Sequence, residues 1–203
     1  MKHKLPVWRS SCVALLLLLT ALPGAAQLWQ SAKLLPPPDD YLAWSATRRL
    51  QARDFRYGAQ PRSNLKGSVG QFGLLMQGTK YDLLGKKGNE MVRNVLYRAG
   101  SYLDTTDRQA IGLHLLYLQT LWDINEVAAR RLRQELRAAA KHMILWGRPD
   151  PNQLIQAAYE AASKRQLQYA DETNYGLYLD KQANWETQLA AELTELQAFA
   201  LPN

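Results

Sequence analysis

From Ile111 the chain places an apolar residue at alternating four- and three-residue steps. The series runs through Leu115, Leu118, Trp122, Ala129, Leu132, Leu136 and Ala139 to Met143, with Asn125 as its one polar member. Such a heptad seam specifies a long helix with one face that something must cover. Upstream, "LDTTDRQ" offers Asp104 or Thr105 as N-cap and Asp107 for the positive end of the helix dipole. At 1.5 Å per residue the helix would be about 60 Å long. A compact domain of this size is shorter than that, so either the helix bends or the domain is elongated. The seam alone leaves open whether it closes within one chain or between two, as in a homo-oligomer.

The end of this helix is well marked. "WGRPDPNQ" puts Gly147 where a helix finishes, Asp150 at an N-cap, Pro151 at the first helical position and Gln153 at the third. So short a connection implies an antiparallel hairpin, with a second arm over about 151–169. After a break at "ADETNYG", the stripe Trp185, Leu189, Leu193, Leu196 and Ala200 predicts a last helix. Toward the N-terminus, Asp39 or Asp40 can cap a helix over roughly 41–56, anchored by Tyr41, Trp44, Leu50 and Phe55. Six glycines between Gly67 and Gly88 punctuate "FGLLM" and "YDLL", which read as short helical turns joined by loops. Val92, Val95, Leu96, Ala99 and Leu103 sit at helical spacing after Asn89. No alternating strand stands out. The expected fold is all-α: an elongated helical bundle of about five or six helices, built around the long central helix and the antiparallel hairpin.

The N-terminus reads as an address. Lys2, Lys4 and Arg9 precede the apolar run "CVALLLLLTAL", and Gly24 and Ala26 supply small residues before Gln27. This is the signal-peptide order, with the cut expected after Ala26 and the product in the periplasm or secreted. The expected organisation is a signal peptide over 1–26, a Pro-rich lead-in over 27–38 containing "LLPPPDD", and one helical domain over 39–203. Removing the leader takes the formal net charge from +7 to +4 and removes Cys12, the only cysteine. The mature chain then has no disulfide and no thiolate to act as nucleophile or metal ligand. Its modest positive charge is a weak argument for nucleic acid, and none is expected as a partner.

Motifs for chemistry are sparse. His114 and His142 lie on the same predicted helix, about 40 Å apart at helical rise, so they cannot share an ion, and no metal or cofactor is expected. "GLLMQGTK" (73–80) inverts the lysine order that a phosphate loop needs. The acids Asp171, Glu172, Glu192 and Glu195 read as solvated surface, and the many Tyr and Trp as core and rim. "NYGLYLDKQANW" (174–185) is the stretch whose exposure would mark a ligand surface.

"SVGQFGLLMQGTKYDLLG", followed by "NVLYRAGSYL", resembles the Gly-Leu-Met-Gln and later Gly-x-Tyr-Leu segments of lytic transglycosylases of the lysozyme-like fold. The resemblance spans about 35 residues and carries one extra leucine. It implies a helical, peptidoglycan-acting relative working through one buried acid. That family's catalytic Glu lies upstream, and residues 54–66 here contain no Glu and only Asp54. The implied relative is therefore degenerate and non-catalytic.

The charge excess is local. Residues 126–142 hold five basic and two acidic side chains. At 100° per residue, Glu126, Arg130, Arg133, Arg137 and Lys141 share one stripe beside the seam, with Arg131 apart from it. Glu126 to Arg130 is a favourable helical pair, while Arg133 and Arg137 lack an acid on the stripe. Dipole complementation accounts for part of the pattern, and arginine in place of lysine suits carboxylate or phosphate recognition. Arg130, Arg133, Arg137 and Lys141 are accordingly the candidate binding residues. The expected function is that of a non-enzymatic accessory protein of an envelope assembly, docking an acidic protein partner through this stripe. Peptidoglycan or a membrane surface are alternative targets, and the peptidoglycan-acting relative is the alternative function.

Overall fold

The computed structural model describes residues 39–58, 67–85 and 87–202. The expected signal peptide and the whole lead-in over 27–38 lie outside the described residues. The architecture is mixed α/β, which corrects the all-α bundle. Three long helices are present, α1 (Ile111–Trp146), α2 (Pro151–Thr173) and α3 (Leu179–Glu195). With them packs a three-stranded antiparallel sheet of β1 (Tyr41–Ala43), β3 (Phe72–Met76) and β4 (Val92–Tyr97) in the order β1-β4-β3. Two further short strands, β2 (Tyr57–Gly58) and β5 (Tyr102–Leu103), pair in parallel.

The strand β4 explains why the sheet escapes a reading by periodicity. It lies between β1 and β3, with Leu96 opposite Leu42 on one side and Phe72 on the other. Val92, Asn94, Val95 and Leu96 are all buried, so both faces of the strand are covered. A strand buried on both faces does not alternate, and its valines fell by chance at helical spacing. Asn94, the polar residue at its centre, donates from Nδ2 to the Trp122 carbonyl of α1 at 3.1 Å. The predicted helix over 41–56 is likewise β1 followed by irregular chain and a 3-10 turn at Ala52–Asp54. Asp54 holds that turn by accepting from the Gln51 amide at 2.8 Å.

The α1 seam closes within the chain, against the sheet together with the loops and 3-10 turns that flank it. Leu118 and Trp122 pack with Leu50, Phe55, Leu96 and Leu103. Farther along, Ala129, Leu132, Leu136, Ala140 and Met143 pack with Leu74, Leu83, Met91 and Val92. On the opposite side, Ile124 and Val127 meet Tyr169 of α2 and Trp185 and Leu189 of α3. The middle of α1 is therefore covered on nearly every side, unlike an exposed coiled-coil arm. At 36 residues it is about 54 Å long. It starts later than the sequence suggests, with Ala110 as N-cap, while Asp104 accepts from the Thr106 and Gly67 amides instead. Its end matches the sequence: Gly147 adopts a left-handed φ of 68°, Asp150 accepts from Asn152, and Pro151 opens α2.

Candidate functional site

The four basic residues of the predicted stripe do share one face of α1, but that face is mostly interior. Arg133 is 0% exposed and Arg130 2% exposed. Glu126, also buried, accepts on Oε1 from Arg130 Nε at 3.1 Å and from Arg133 Nη1 at 2.9 Å. Arg133 also donates to the Val92 carbonyl of β4 (2.9 Å) and the Phe199 carbonyl (3.0 Å). Arg130 donates to the Leu193 carbonyl at 2.6 Å, and its guanidinium lies over the Trp44 ring. Half-buried Arg137 donates to Asn89 Oδ1, and Asn89 donates in turn to the carbonyls of Ala198 and Ala200. Burial pulls the Arg133 guanidinium below its ordinary value, and the Glu126 carboxylate pulls it back. Of the four, only Lys141 is exposed. The stripe fastens the chain's own C-terminal segment and β4 to α1, with Arg130 and Arg133 enclosed in the interior and Arg137 half-buried.

Other acids prove equally occupied. Asp54, the lone acid of residues 54–66, is buried and pairs with Arg48. The transglycosylase-like segments themselves form β3 with the 3-10 turn after it, and the chain from within β4 through β5. Asp123 lines a cleft of about 230 Å³ with Trp44, Arg49 and Glu186. Burial raises its pKa, against hydrogen bonds from Trp44 Nε1 (2.7 Å) and Gln119 Nε2 (2.8 Å) and the nearby Arg49. A carboxylate in a cleft with a raised pKa suits a general acid. Here its acceptor sites are filled by groups that tie residues 44–50 to α1, so it acts as a strut. Glu192, expected to be solvated, is 15% exposed and bridges Arg131 and Arg165. Among the described residues no group of three His, Cys, Asp or Glu side chains could hold a metal ion, and no helix is long and apolar enough to cross a membrane.

What the sequence reading missed is a sheet edge. Tyr97 N donates to Gln71 O (2.8 Å) and Gln77 N to Met91 O (2.9 Å), so the odd-numbered residues of this stretch turn their main chain toward β4. In an antiparallel ladder the alternate residues then turn theirs outward: Gly70, Phe72, Leu74 and Met76. At Leu74 the outward groups meet Tyr159 of α2, whose hydroxyl accepts from Leu74 N (2.8 Å) and donates to Leu74 O (3.2 Å). That hydroxyl stands where the next strand's backbone would. Beside Gly70–Leu75 lies a cleft of about 400 Å³, walled by Tyr159 and Gln166 on one side and by Tyr41, Val95 and Tyr97 on the other. Gly70 makes room there for the Phe72 ring, which stacks on Trp122: a Cβ would fall 2.5 Å from that ring and push it aside. The available signal was charge: residues 67–79 carry none, in a chain that is 21% charged. Free edges are ordinarily guarded by lysine, proline or a bulge; among the described residues this one carries no such guard.

Fold and site together define a mixed α/β domain with, among the described residues, an open and uncharged sheet edge. No known protein-family model, curated protein or solved structure matches the chain.

Proposed function

We propose that this domain is a non-enzymatic interaction protein that captures an extended peptide segment of a partner by adding it to the free edge of β3. One observation carries this reading: the outward main-chain groups of Gly70 and Phe72 face a cleft of about 400 Å³, and the neighbouring pair at Leu74 is already satisfied in strand-like fashion by the Tyr159 hydroxyl. Strand addition uses main-chain hydrogen bonds for affinity and side-chain pockets at alternate positions for selectivity. The bonds would come from Gly70 and Phe72, and Tyr159 would end the open stretch. The tilted Tyr41–Tyr97 pair, with ring centroids 5.0 Å apart, offers an aromatic wall for an apolar side chain. The expected envelope setting rests on residues 1–26 alone.

The test begins with selection of linear peptides from a random displayed library, followed by titration and amide exchange. Binding is expected to slow exchange at the Gly70 and Phe72 amides. Gly73→Trp is expected to abolish binding with the fold intact, since a Cβ at that position meets only the Tyr159 hydroxyl, at 3.8 Å. Peptides that bind Gly73→Trp as well as wild type, or that protect amides elsewhere, would refute the proposal.

A further inference from the structure

Two exposed apolar patches lie at opposite ends of α2, and they carry opposite charge. At its N-terminal end, the last turn of α1 leaves Leu145 73% and Trp146 74% exposed. Lys141 and His142 stand one turn back, at the i−4 positions of these two residues, and Arg148 follows; all three are exposed. Asp150 is also here, but its carboxylate is engaged as the N-cap of α2. At the other end, the α2–α3 connection exposes Tyr175, Leu177, Tyr178 and Leu179 by 65, 60, 53 and 59%. This is the aromatic stretch whose exposure the sequence marks as the sign of a ligand surface. Asp171, Glu172 and Asp180 flank it, against Lys181 alone, and all four are exposed.

The connection is a fixed platform. Asn174, Tyr175 and Gly176 take left-handed φ values of 47°, 56° and 84°, a conformation that two non-glycine residues adopt only when their surroundings impose it. Thr173 imposes it, accepting from Gly176 N on its hydroxyl and from Tyr178 N on its carbonyl, while Tyr175 N donates to Ala170 O. The Tyr175 ring leans on Tyr117 of α1. The strain thus holds large apolar side chains outward in a set arrangement.

We infer that this chain associates with itself head to tail: the Leu145–Trp146 tip of one copy docks on the Tyr175–Leu179 loop of the next. Lys141 and Arg148 then stand opposite Asp171, Glu172 and Asp180. Exposed contiguous apolar groups rimmed by charge mark interaction surfaces. The acids around the loop disfavour an anionic lipid surface and favour a basic apolar partner, which the chain's own tip supplies. The two patches differ, and the 23 residues of α2 set them about 34 Å apart. Each contact uses the tip of one copy and the loop of another: two copies lying antiparallel make it twice and close as a two-fold dimer, while other orientations extend it into a chain or a ring.

Sedimentation velocity of the full chain, at concentrations up to about 1 mM, where weak specific association becomes visible, tests this. Wild type is expected to form concentration-dependent species, weakened by salt, and Trp146→Ser to remain monomeric. A tip-reversed chain (Lys141→Glu with Arg148→Glu) and a loop-reversed chain (Asp171→Lys with Asp180→Lys) are each expected to be monomeric alone. Mixed, they should associate, because each then offers the charge the other lacks; damaged folds would not recover on mixing. Monomeric wild type throughout, no recovery on mixing, or Trp146→Ser associating like wild type would each overturn the inference. Sedimentation with phosphatidylcholine vesicles in the absence of self-association would overturn it too, and would assign the patches to lipid.

Discussion

The most discriminating perturbation is removal of the Glu126 carboxylate. Glu126 is 1% exposed and is the shared acceptor of two guanidiniums that are themselves buried. Glu126→Ala leaves both cations in the interior without their counter-charge, a change that costs about 3–5 kcal/mol when one partner of a buried pair is deleted. Against the roughly 5–15 kcal/mol that holds a domain folded, this is about a fifth of the total or more. For a chain of this size it corresponds to a fall in Tm of about 6–20 °C, at roughly 2–4 °C per kcal/mol. Glu126→Gln keeps an oxygen where Oε1 accepts but loses the charge, so it is expected to fall between wild type and Glu126→Ala. Lys141→Ala, at the exposed end of the same stripe, is expected to stay within about 0.5 kcal/mol of wild type. Urea unfolding at neutral pH measures all three. If Glu126→Ala and Lys141→Ala lie within about 1 kcal/mol of each other, the cluster is solvated and the stripe is a surface after all.

Two glycines should respond in opposite directions. Gly112 opens α1, and a Cβ there meets nothing within 4 Å, so Gly112→Ala is expected to stabilise by about 0.5–1 kcal/mol in thermal melts. A Cβ on Gly88 would fall 2.8 Å from the Leu83 carbonyl oxygen, so Gly88→Ala is expected to destabilise by about 1–3 kcal/mol. Arg133→Lys keeps the charge, but one ammonium cannot serve three separated acceptors. A loss of about 1–3 kcal/mol is expected from each buried carbonyl left without a donor. Acid should expose Glu192: burial works against its ionisation, but Arg165, Gln188 and Arg131 hold it below the usual carboxylate range. A carboxylate with a lowered folded pKa stabilises fully above its unfolded pKa of about 4.3 and loses that contribution as pH falls through the folded value. The slope of stability against pH below that point should therefore be shallower in Glu192→Gln, followed by urea unfolding in acid.

The helical half was legible because its signals are local. The αL glycine at 147, the Asp150–Pro151 start and the seam each act within one or two turns, and the structure repeats them residue for residue. The sheet was not legible because its evidence is distant. β4 is a strand by virtue of being flanked by β1 and β3, and Asn94, which breaks any apolar pattern, donates from Nδ2 to a carbonyl 28 residues away. Gly70 and Gly73 look like breakers, yet one makes room for the Phe72 ring and the other opens the cleft. The free edge is a property of strand order, and strand order leaves no mark on a single segment.

The basic run illustrates the same division more sharply. Projection onto a helix wheel put Glu126, Arg130, Arg133 and Arg137 on one face, and they do lie together. The wheel could not say what covers that face. Arg133 meets Val92 O, 41 residues upstream, and Phe199 O, 66 residues downstream. The preference for arginine over lysine was the better clue. A planar fork with five donors can join a carboxylate and two carbonyls from three segments at once, whereas an ammonium suits a solvated surface. Arginine chosen for its geometry reads the same in sequence whether the acceptors belong to another molecule or to the chain's own ends. The position of Lys141 separates the two cases: the stripe turns to lysine at the point where it reaches solvent, beside the Leu145–Trp146 tip. Once the arginines are accounted for internally, the proposals of recognition move, among the described residues, to a strand without charge and to a tip and loop of exposed apolar side chains.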